Sequence, residues 1–74
     1  MEVSEMKQYV VILEKGDKNW GAYSPDVPGV IATGDTEEET LELFREALAF
    51  HLEGLELEGY PIPQPVSQAH LVGV

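Results

Sequence analysis

One apolar stripe decides most of what this chain can fold into. Leu41, Phe44, Leu48, Leu52 and Leu55 recur at spacings of three and four, which places them on one face of a helix packed against something larger. The flanks carry start and stop signals. Thr36 and Glu39 have capping-box spacing, with Asp35 and Glu38 as the other register. Glu37, Glu38 and Glu39 fall in the first turn, where negative charge meets the positive end of the helix dipole. Gly59 is a natural left-handed stop with Pro61 behind it. The spacing predicts a helix over 37–57. In a chain of 74 residues this leaves room for a few short strands in a single domain, here taken as 1–74.

The segments around the helix read as those strands. Tyr9-Val10-Val11-Ile12-Leu13 is β-branched and aromatic and stops at the turn residues Gly16-Asp17-Lys18-Asn19. Tyr9, Val11 and Leu13 point to one side and Val10 and Ile12 to the other. Residues 20–24 form a second strand, and Pro25 and Pro28 force a loop after it because they lack amide donors. Residues 30–34 form a third. Beyond the helix, Tyr60-Pro61-Ile62-Pro63-Gln64-Pro65 is a polyproline-like spacer, and residues 68–74 read as a last strand. The order β-β-β-α-β is an α+β two-layer sandwich, with one helix on a small sheet.

A second stripe, Leu43, Phe50 and Leu57, lies on nearly the opposite side of the helix. Either the C-terminal segment folds over it or another chain covers it. Small domains gain stability from disulfides, metals or association. This one has no cysteine, so a homo-oligomer, dimer or higher, using Leu43, Phe50 and Leu57 or a sheet edge is expected.

Charge narrows the function. Four Lys and Arg stand against 14 Asp and Glu, a net charge of −10. Nucleic-acid binding rests on cationic side chains, so direct binding is not expected. Such acidity favours a basic partner or serves solubility. Met1 to Glu5 lack the apolar run of a signal peptide, and no segment has a membrane span's length, so a cytoplasmic location is expected. Two histidines without cysteine make a poor structural zinc set. No nucleophile elbow or glycine-rich phosphate loop occurs. Asp26 and Asp35 flank the third strand and are the best candidates for a metal-dependent nuclease, the alternative reading. Both also sit where turns and caps favour Asp. No catalytic residue, cofactor or metal is therefore expected.

Residues 20–39, W-G-A-Y-S-P-D-V-P-G-V-I-A-T-G-D-T-E-E-E, carry the more specific signal. A G-x-Y strand, then P-D-x-P-G, then G-D-T-x-E-E opening a helix resembles the HicB family. The likeness extends over residues 7 to 74, including the G-Y-P-I-P-Q-P exit. The resemblance implies a fold similar to a truncated ribonuclease-H-like core. It also implies a non-enzymatic antitoxin that neutralises a small, basic, mRNA-cleaving toxin of the HicA type. Trp20, Tyr23, Pro25, Asp26, Pro28, Gly29 and Asp35, which carry the motif, are the candidate partner-binding residues. Val30 and Thr40 depart from the family, which commonly has cysteine and alanine there. The sequence stops at Val74 without the DNA-binding domain of many members, so operon repression is not expected.

Overall fold

The computed structural model describes residues 7–74; the expectation that Met1 to Glu5 form no signal peptide lies outside them. Three strands precede one helix: β1 (Ile12–Lys15), β2 (Trp20–Tyr23), β3 (Ile31–Gly34) and α1 (Glu37–Glu58). The strands form an antiparallel sheet in the order β1-β2-β3. This is the α+β arrangement read from the sequence.

The register explains where the strands stop. Ile12, Tyr23 and Ile31 form the last row of the ladder. Pro25 and Pro28 follow Tyr23 in the β2–β3 loop, so β2 cannot continue and residues 9–11 have no partner beyond that row. The first strand therefore begins at Ile12, three residues later than expected. Its turn closes through Gly16, whose N–H donates to the Asn19 carbonyl at 2.7 Å.

One sheet face makes the core. Leu13, Ala22 and Ala32 are matched across the three strands and pack with Tyr9, Val11 and Val30 around Phe44, which is fully buried. Val27, 1% exposed, reaches into the same core from the proline loop. The loop folds back on itself, with the Val27 N–H donating to the Ser24 carbonyl at 3.3 Å, and Gly29 takes φ +97°, a conformation that favours glycine.

The helix starts as the sequence predicts. Thr36 is the N-cap, its hydroxyl accepting from the Glu39 N–H at 3.1 Å. Glu39 closes the box one residue further out, its carboxylate accepting from the Asp35 N–H at 2.9 Å. Gly34 sets how the helix is turned. A β-carbon there would lie 2.7 Å from the Thr40 hydroxyl, so only glycine lets the first turn of α1 come this close. Thr40 is consequently buried, with its hydroxyl donating to the Thr36 carbonyl at 2.7 Å. Leu41, expected in the packed stripe, is rotated to its edge and is 45% exposed.

The fourth strand is a correction. Residues 68–74 form no strand, and beyond Tyr60 no backbone–backbone hydrogen bond holds the described chain. The connector is pinned elsewhere. The Tyr9 hydroxyl donates to the Pro63 carbonyl at 2.7 Å, and the Asp26 carboxylate accepts from the Ser67 N–H and hydroxyl, each at 2.8 Å. These contacts hold the connector beside Tyr9 and the proline loop, and residues 68–74 beyond them pair with no strand.

Candidate functional site

The structure divides the seven motif residues between the two ends of the sheet. Tyr23, Pro25, Asp26, Pro28 and Gly29 gather at the proline-loop end. Trp20 and Asp35 sit at the other, where both line a small crevice with the β1–β2 turn. Trp20 is half-buried, with the Lys15 ammonium 5.9 Å from its ring centre, within cation–π range. The Asp35 carboxylate is exposed, and its backbone N–H serves the helix cap. Asp26 and Asp35 stand at opposite ends of β3. Among the described residues no group of three His, Asp or Glu side chains converges as a metal site would require.

Asp26 is a clamp more than an open carboxylate. Two hydrogen bonds from Ser67, the backbone one first in effect, hold its pKa below the ordinary carboxylate value. Nearby, burial and then the Asp26 charge push the Tyr9 phenol above its usual pKa. Both shifts favour the arrangement seen: a charged Asp26 and a protonated, donating Tyr9. Sequence reading missed this pairing because Ser67 lies 41 residues from Asp26.

The open surface lies around the proline loop and the second half of the helix. Ile12, Tyr23 and Ile31 form a row across the outer sheet face, and Ile31 on the edge strand is 72% exposed. Ile31 also borders a groove of about 480 Å³ shared with Gly29, Phe50, Glu58 and Tyr60. Alternation along the third strand could have singled out Ile31, since its neighbours Val30 and Ala32 face the core. Phe50 and Leu57 are 78% and 81% exposed and Leu43 is partly so, so the C-terminal segment does not cover this stripe. One acid, Glu58, lines this groove, while Glu53 and Glu56 lie on the other flank of α1 beside Tyr9 and Ile62, and no basic residue occupies the last helical turn. Arg45, the helix's one Lys or Arg, is held by Glu42 at 2.7 Å. The surface offers apolar contact on a strongly acidic chain and suits a basic protein partner.

Among the described residues no helix is long and apolar enough to cross a membrane. The chain is 36% identical over 62 residues to an uncharacterised 14.9 kDa protein from the rep–hol intergenic region of Haemophilus phage HP1, a match covering 81% of this chain and 47% of the relative. It thus spans about half the length of that relative. It is 34% identical over 61 residues to a UPF0150 protein of Synechocystis, covering 81% of this chain and 77% of that protein. No solved structure matches. A family model described as a HicB-like antitoxin of bacterial toxin–antitoxin systems matches residues 9–73. That span takes in the proline loop, the glycine-seated helix cap and the pinned connector, and on it the chain belongs to the HicB-like antitoxin family.

Proposed function

We propose that this protein neutralises a small, basic ribonuclease of the HicA type by binding it, with no catalysis or cofactor of its own, in the bacterial cytoplasm. The observation that carries the reading is the family match over residues 9–73. The open surface supports it. Tyr23, Pro25, Pro28, Gly29 and Ile31 meet the toxin with Glu58 at the edge of their groove, and the chain's net charge of −10 steers the toxin's cationic surface toward it. Trp20 and Asp35 make a smaller contact at the far end. Asp26 acts indirectly by fixing the loop through Ser67. The stripe of Leu43, Phe50 and Leu57 joins two copies, since exposed apolar side chains of this size mark an association surface.

The test is co-expression with the small basic reading frame adjoining the gene. Restored growth and a co-purifying complex are expected. Ile31→Asp should abolish rescue while leaving the fold intact, because Ile31 packs on nothing in the core. Unrelieved toxicity with no complex would reject the reading. No observation favours the metal-dependent nuclease over this one.

A further inference from the structure

The sequence and the structure disagree about one segment, and the disagreement is informative. Residues 68–74, Q-A-H-L-V-G-V, have the composition of a strand. Yet Leu71, Val72 and Val74 are all fully or almost fully exposed, and the segment has no ladder partner in its own chain. Val72 and Val74 share one side of an extended segment and Leu71 takes the other, so both sides present apolar atoms to water.

An acceptor of matching chemistry lies elsewhere on the molecule. β1 pairs with β2 along one edge, and its other edge has no partner among the described residues. α1 packs mainly on β3 and β2, so the core face beside β1 is not closed over. A groove of about 530 Å³ opens there between Tyr9 and Val11 on one side and Leu41, Phe44 and Leu48 on the other. The chain's own connector passes its rim, where the Tyr9 hydroxyl donates to the Pro63 carbonyl, yet residues 68–74 make no backbone hydrogen bond with the β1 edge. The Asp26–Ser67 clamp then holds the connector against the proline loop, past the end of β2.

We propose that residues 68–74 of one copy pair with the free edge of β1 in a second copy and close its groove. Each copy holds one unpaired strand-like segment and, besides the outer edge of β3, the unpaired edge of β1 beside this groove. A reciprocal exchange between two copies pairs both segments with both β1 edges, which closes the pair about a two-fold axis and leaves the β3 edges free. Strand addition supplies the backbone hydrogen bonds, and the groove takes the apolar side chains. Leu41, half-exposed in the single chain, becomes covered, so the groove is complete only with the partner's tail. The contact differs from the Leu43–Phe50–Leu57 stripe and does not rest on toxin binding.

Cysteine cross-linking tests the exchange, because the natural chain contains no cysteine. A Leu71→Cys chain is mixed with a Leu41→Cys chain, unfolded and refolded together, and oxidised. A disulfide-linked pair joining the two variants is expected. Leu71→Cys mixed with Thr33→Cys, exposed on β3 at the opposite edge of the sheet, should give none. In parallel, Leu71→Asp with Val72→Asp should weaken self-association by about tenfold or more. Its helical circular dichroism band should stay unchanged, since both sites are exposed in the single chain and lie outside α1. Equal cross-linking in both mixtures, no cross-linking in either, or an unaltered dissociation constant in the double variant would overturn the proposal. A failure of toxin neutralisation alone would leave it standing.

Discussion

The two ends of α1 use the same residue type for opposite purposes. At the first end, Glu37, Glu38 and Glu39 lie at the positive pole of the helix, and the Glu39 carboxylate accepts from the Asp35 N–H. Thr40 and Phe44 just beyond are fully buried. Charge and packing both stabilise the fold there. At the second end, Glu53, Glu56 and Glu58 approach the negative pole with no cation in the last turn, and Phe50 and Leu57 face water. Neither the acids nor the apolar groups are accounted for by the stability of the single chain. The first half of the helix builds the domain, and the second half is free to meet another protein.

Substitutions at the two ends should therefore give opposite outcomes. Phe44→Ala should cost about 3–5 kcal/mol through the cavity it leaves. A domain of this size has a total stability on the order of 5 kcal/mol, so the variant should be largely unfolded by circular dichroism at room temperature. Gly34→Ala comes next, at about 1–3 kcal/mol, because its β-carbon would crowd Thr40. Adding Thr40→Ala should recover part of that loss in urea denaturation, since the nearest clashing atom is the Thr40 hydroxyl. At the second end the sign reverses. Glu56→Lys together with Glu58→Lys should stabilise the chain by about 0.3–1 kcal/mol while weakening its complex with a basic partner. A loss of stability there would break the comparison.

The smallest effect is on pH dependence, and it locates the connector. Asp26 has a lowered pKa in the fold. Its contribution is present at neutral pH and is lost as pH falls through the ordinary carboxylate range to the lower folded value. Tyr9 has a raised pKa, so its contribution is complete below the ordinary phenol value and lost as pH rises through the higher folded one. The Ser67 amide resonance should move on the acid limb, and Asp26→Asn should remove that titration. An unchanged acid limb in the variant would place the clamp elsewhere.

How much could be read in advance followed how local the physics is. The helix was legible at both ends because Thr36, Glu39 and Gly59 signal through contacts within a few residues. Its rotation was not: the close approach at Gly34 brings Thr40 inward and moves Leu41 to the edge, and only the folded packing shows that. Strand identity was legible from β-branched runs, whereas strand limits depended on where a neighbour stops, as Tyr23 does before Pro25. The motif residues were legible as a set, yet their division between two ends of the sheet was not. The Tyr9–Pro63 and Asp26–Ser67 contacts join residues 54 and 41 positions apart and have no local signature. The strand expected at residues 68–74 failed for a related reason, since residue preference does not supply a pairing edge.

The most direct test of the central claim is a calorimetric titration of this chain with the purified basic toxin at low and high salt. The account predicts a saturable complex that weakens as salt rises. Ile31→Asp should lose it while keeping the wild-type unfolding curve, because Ile31 belongs to the proposed contact surface and lies outside the core. No binding at low salt, or binding by Ile31→Asp equal to wild type, would contradict it.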